Sequence, residues 1–139
     1  MKIVVLKFGG TSVGTIEKIK KVTDIIIEHK KKKNKVIVVS SAMSGVTNDL
    51  IKKSKQISNN FIDSEYDVLV SSGEQVACSL IAGRLNHKGF KSRSWLGWQI
   101  PIITNGPYTN SRIQQVNKNK LLRFLKEGGI PIITGFQGV

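Results

Sequence analysis

The segment Lys7-Phe8-Gly9-Gly10-Thr11-Ser12-Val13-Gly14 sets a cation, two adjacent glycines and two hydroxyls directly after a short apolar run. Glycine has no Cβ, so backbone N–H groups there can approach an anion. A helix start just beyond adds partial positive charge, and the Lys7 ammonium supplies a full one. The pattern contains neither GxxxxGK[ST] nor GxGxxG, which excludes a Walker loop and a dinucleotide fingerprint. Taken alone, the residues also suit an ordinary tight turn from strand to helix.

A second segment, SSAMSGVTNDL, offers Ser40, Ser41, Ser44 and Thr47 around Gly45, with Asn48 and Asp49 at a helix start. Hydroxyls and free amides in that setting suit a small carboxylate, while capping by Ser44 or Thr47 explains them equally well. A third segment, SSGEQVA, puts Glu74 inside an otherwise apolar helical stretch beside Ser71, Ser72 and Gly73. A carboxylate there could hold an ammonium group, and a helix-surface glutamate is the plainer alternative.

Other reactive types suggest less. Cys78 lies one helical turn beyond Glu74 and reads as a small buried hydrophobe, because no activating base accompanies it. His29 and His87 read as helix-end cations, and Trp95 and Trp98 as core anchors. No Cys or His cluster has zinc-ligand spacing, so no metal site is expected.

The elements that must position these residues follow from periodicity. Residues 3–6, 36–39 and 130–133 are continuous apolar runs, as in strands covered on both faces. Between the first two, Ile16, Ile19, Val22 and Ile26 recur at helical spacing over residues 16–29. A second helix is predicted from about residue 65 to 87, with Leu69, Val76, Leu80 and Leu85 apolar and Gly89 as its stop. Residues 100–104 read as a strand made irregular by Pro101, and residues 118–127 as a helix capped by Asn117 and ended by Gly128-Gly129. Alternating strand and helix predict an α/β fold, a three-layer α/β/α sandwich around a mainly parallel sheet, with residues 1–139 in one domain. Ligands of such sheets bind beyond the carboxyl ends of the strands, where loops 7–12, 40–45 and 134–138 are expected to converge.

Composition narrows the class. The 139 residues are 40% hydrophobic and 22% charged, which excludes a disordered or low-complexity chain. The net charge of +13 comes from 22 Lys plus Arg against 9 Asp plus Glu. Only Arg84, Arg93, Arg112 and Arg123 are arginines, a balance that favours phosphate contacts over the reading of base edges. Lys30 to Lys33 with Lys35 form a solvated turn or a polyanion patch. One cysteine, no signal-peptide core and no run near the roughly 18 apolar residues of a membrane span point to a cytoplasmic protein.

KFGGTSVG at the N-terminus, SSAMSGVTNDL, SSGEQ and the closing GFQGV resemble, in order and spacing, the aspartate kinases of the amino-acid kinase family. The resemblance implies transfer of the ATP γ-phosphoryl group to the side-chain carboxylate of L-aspartate, assisted by Mg2+, on the route to lysine, threonine, methionine and diaminopimelate. Lys7 is then expected to stabilise the moving phosphoryl group as the catalytic cation. Lys7, Phe8, Gly9 and Gly10 would line the phosphates, Ser41 and Thr47 would contact aspartate, and Glu74 would hold its ammonium group. The family continues beyond GFQGV with a GRGGSD stretch, a nucleotide-base pocket and regulatory ACT domains, none of which matches anything in residues 1–139.

The chain is therefore expected to be an incomplete, N-terminal part of the kinase domain and a poor kinase alone. Its partners would be ATP, L-aspartate and a complementing C-terminal half or a second copy, because residues 130–133 should lack strand neighbours and covering helices. Two other readings are a noncatalytic polyanion-binding module using residues 30–35 and a sibling kinase acting on glutamate, carbamate or a nucleoside monophosphate.

Overall fold

The computed structural model describes residues 2–139. The apolar runs form three parallel strands, each longer than its run: β1 (Ile3–Phe8), β2 (Lys35–Ser40) and β6 (Ile130–Thr134). A fourth parallel strand, β3 (Ser92–Trp95), completes a sheet of order β1-β2-β6-β3. Pleating separates two sets of side chains. Leu6, Phe8, Val36, Val38, Ile130 and Ile132 face one way and pack on helices α1 (Ile16–Lys31) and α3 (Asp63–His87). The buried Ile26, Ile81, Leu85 and Ile132 in this cluster each contribute about 1.5–3 kcal/mol by leaving water.

On the opposite face, Trp95 and Ile133 pack with Ile100, Ile102, Leu121 and Phe124. Helix α4 (Asn119–Lys126) and strand β4 (Ile102–Asn105) supply this second, smaller core. The result is an α/β fold with helices on both faces of a parallel sheet. A further helix, α2 (Val46–Ile57), packs on α3, and β4 pairs antiparallel with β5 (Arg112–Val116) in a separate two-stranded sheet.

Local chemistry explains the boundaries. Thr15 caps α1 by accepting a hydrogen bond from Lys18 N at 3.2 Å, with Glu17 in the first turn and His29, Lys30 and Lys31 in the last, as the helix dipole favours. Gly89 and Gly128, at φ of 83°, end α3 and α4 where a side chain would be strained. Helix α4 begins at Asn119 rather than 118, and Asn117 supports its start by accepting from Asn119 N at 3.2 Å. Pro101 precedes β4 instead of lying within it, and β4 carries an irregularity between Ile103 and Thr104.

Two expectations are overturned. Strand β6 does not lack neighbours: it lies between β2 and β3, with α3 on one face and α4 on the other. The bare surface belongs to β1, the edge strand, where Ile3 is 48% and Val5 61% exposed. So β1 is covered on one face only. Strands β3 and β5 escape the periodicity altogether, because the polar SRSW segment sits at a sheet edge and every residue of RIQQV is exposed.

Candidate active site

The loops after β1, β2 and β6 are tied together by backbone hydrogen bonds at the carboxyl ends of their strands. Ser41 N donates to Phe8 O (3.0 Å), Ser44 N to Gly10 O (3.1 Å) and Gly135 N to Ser40 O (3.0 Å). Gly10 is needed for this approach, since a Cβ there would lie 3.0 Å from the Ala42 carbonyl oxygen. The amides of Gly9 and Gly10 donate to no backbone carbonyl, and both residues are at least partly open to solvent. They are free to meet an anion.

Lys7 is the penultimate residue of β1. Its neighbours Leu6 and Phe8 pack toward α1 and α3, so the exposed Lys7 side chain leaves the sheet on the other face. No carboxylate pairs with its ammonium among the described residues. Lys7 and Glu74 thus share the rim but rise from opposite faces of the sheet.

Gly45, in the left-handed region at φ 84°, turns the chain into α2, and no side chain caps that helix. The capping explanation for Ser44 and Thr47 is therefore overturned. The first helical bond of α2 runs from Asp49 N to Gly45 O, and the amides of Thr47 and Asn48 ahead of it find no backbone acceptor. The half-buried Ser41 and Thr47 and the exposed Ser44 surround this helix start.

Glu74 is 6% exposed, so it is not the surface glutamate that its type alone allows. Its Oε1 accepts from Ala42 N at 3.3 Å, and its buried Oε2 has no partner. Gly73 makes this possible: a Cβ there would stand 2.9 Å from Ala42 Cβ and 3.2 Å from Val46 Cγ1, so α3 rides directly on the β2–α2 loop. Burial pushes the Glu74 carboxyl above its ordinary 4.5, while the Ala42 amide pulls the other way. An ammonium group against Oε2 would satisfy the orphan acceptor and favour the carboxylate.

Cys78 is buried, and burial with the nearby Glu74 charge pushes its thiol up to about 12, which fits the inert role read from the sequence. His29 and His87 lie in the last turns of α1 and α3 as expected. Trp95 is a core anchor stacked edge-on against Phe124, but Trp98 is 63% exposed and anchors nothing. Lys32 and Lys33 form an exposed turn after α1, with Lys33 at φ 61°.

No group of three or more His, Cys, Asp or Glu side chains among the described residues could hold a metal ion.

Loops gathered beyond the carboxyl ends of a parallel sheet place the chain among the α/β proteins whose ligands bind at that rim. The chain belongs to the amino acid kinase family, which it matches over residues 2–139. It is 48% identical over 139 residues to an aspartokinase of Geobacillus stearothermophilus and 42% identical to an aspartate kinase of Pseudomonas putida. Each alignment takes in 100% of this chain and 34% of the relative, so the chain spans about a third of the length of these proteins. Among solved structures, an aspartate kinase from Synechocystis superposes with a TM-score of 0.82 at 37% identity, covering 100% of this chain and 22% of that one. E. coli aspartokinase III, solved with aspartate and ADP, shares the fold at a TM-score of 0.77 and 22% identity, over 99% of this chain and 41% of its own.

Proposed function

We propose that this chain forms the phosphate- and amino-acid-holding part of an aspartate kinase. The reaction passes the γ-phosphoryl group of ATP to the side-chain carboxylate of L-aspartate. A carboxylate oxygen forms the new P–O bond, the bond between Pγ and the bridging oxygen breaks, and its electron pair leaves on ADP. The products are 4-phospho-L-aspartate and ADP, with no covalent enzyme intermediate.

The residues divide the task by charge. The Lys7 ammonium offsets negative charge on the transferring phosphoryl oxygens, and the Gly9 and Gly10 amides donate to phosphate oxygens as the nucleotide settles beside Phe8. Ser41, Thr47 and the open amides at the α2 start receive an aspartate carboxylate. Glu74 Oε2 accepts from the α-ammonium. That orphan oxygen, buried beside a helix start whose hydroxyls are uncommitted, is the observation that carries the reading. The aspartokinase relatives support the same acceptor.

Since the matched relatives are about three times as long, activity is expected to need further residues of the kinase domain. The test is aspartate-dependent ADP formation with hydroxylamine trapping of the acyl phosphate, run on this polypeptide alone and together with a complementing second half. Trapped aspartyl hydroxamate supports the reading. Product from glutamate, carbamate or a nucleoside monophosphate, but none from aspartate, overturns it.

A further inference from the structure

The GFQGV segment contains one side chain, that of Gln137, hydrogen-bonded to two distant parts of the chain. Gln137, half-buried just after β6, spans two other parts of the rim: its Oε1 accepts from Gly97 N at 3.0 Å and its Nε2 donates to Ser71 O at 3.1 Å. Gly97 is buried and its amide donates to no backbone carbonyl, so Gln137 satisfies a group that would otherwise be orphaned. The fit is close, because a Cβ on Gly97 would stand 2.9 Å from Gln137 Cβ. Phe136 enters the left-handed region at φ 52°, an unusual conformation for a bulky residue, and it immediately precedes Gln137.

Ser71 lies in α3 one turn before Glu74 and two residues before Gly73, where the helix meets Ala42 and Val46. We propose that Gln137 is a positioning residue: its amide clamps this turn of α3 to the loops after β3 and β6, and so holds the Glu74 carboxylate against the β2–α2 loop. The inference deepens the reading of Glu74 as the ammonium acceptor and rests on it. Only a carboxamide of this length offers the acceptor that Gly97 N needs and the donor that Ser71 O needs. Methionine keeps the length and loses both bonds. Glutamate keeps the acceptor and puts a negative charge against the Ser71 carbonyl.

The experiment uses the same polypeptide, with its complementing half where binding requires one. It measures L-aspartate affinity for the parent, Gln137→Met, Glu74→Gln and the double variant, and follows the Glu74 carboxyl by carbon NMR across pH. Gln137→Met is expected to weaken aspartate binding about tenfold, as loss of one well-made hydrogen bond does. In the Glu74→Gln background it should add nothing further, because the clamp acts through Glu74. The Glu74 titration should fall toward 4.5 as water reaches the loosened turn. Gln137→Leu, also uncharged and lacking both bonds, should show the same downward shift at Glu74, which serves as the test should Gln137→Met fail to fold.

Full additivity of the two substitutions, or an unchanged Glu74 titration in both Gln137 variants, overturns the proposal. If the parent binds no aspartate, the functional reading fails, and the Glu74 titration alone then decides whether Gln137 positions that carboxylate.

Discussion

The two ends of the parallel sheet are built on opposite plans. At the amino end, strand starts and helix ends carry Lys2, Lys31 to Lys33, Lys35, Lys88 and Lys91, charges that stand in or near water, and Lys91 pairs at 2.7 Å with the half-exposed Glu127. At the carboxyl end charges are few, but Glu74 is buried with one oxygen unpartnered and Lys7 has no acidic partner. Water and salt screen the first set, so its many charges have little leverage. The second set is underused by the fold itself, which leaves its interactions for a ligand. Density of charge therefore does not single out the carboxyl-end rim, whereas a buried carboxylate oxygen without a partner does.

Lys7 carries the largest expected effect. Lys7→Ala is expected to lower the phosphoryl-transfer rate of the complemented enzyme by about 100- to 1,000-fold, the scale of losing one preorganised transition-state contact, with little change in aspartate KM. Steady-state ADP formation checks this; a loss confined to aspartate KM would assign Lys7 to substrate binding instead.

Next in size is the pH response of stability. Because folding raises the Glu74 carboxyl above 4.5, its neutral form favours the folded state, and that contribution is present below 4.5 and lost as pH rises through the raised value. Glu74→Gln should therefore raise the thermal midpoint at pH 7 more than at pH 4. An equal shift at both values would mean that the carboxylate is already well solvated.

Cys78 sharpens the contrast from inside α3. With its thiol pushed up to about 12 and its side chain buried, it should resist iodoacetamide at pH 8 in the folded protein and react once denaturant is added. The smallest effect belongs to the amino end. Replacing Lys31, Lys32 and Lys33 by Gln should leave catalysis unchanged and stability within about 0.5 kcal/mol, as expected for solvated surface charges. Salt-sensitive loss of nucleic-acid binding in that variant would instead favour the polyanion-binding alternative.

Much of the architecture was legible because β1, β2 and β6 are apolar runs and α1 has a clear stripe through Ile19, Val22 and Ile26. Strands β3 and β5 were not, since β3 is a four-residue edge strand that buries a serine, Ser92, along with Trp95, and β5 is a fully exposed hairpin arm, so neither writes an apolar pattern into the sequence. The rim loops announced themselves through glycines and hydroxyls. The burial of Glu74 did not, because it depends on Gly73 meeting Ala42 across 31 residues of chain, a contact that no local spacing encodes. Gln137 was hidden for the same reason: its partners Ser71 and Gly97 lie 66 and 40 residues away.

The most direct test of an ammonium-accepting Glu74 is the affinity of the protein for L-aspartate relative to succinate, which lacks only the amino group. The parent is expected to prefer aspartate by about 10- to 100-fold, and Glu74→Gln to erase most of that preference while leaving succinate binding nearly unchanged. An undiminished preference in Glu74→Gln would contradict the account.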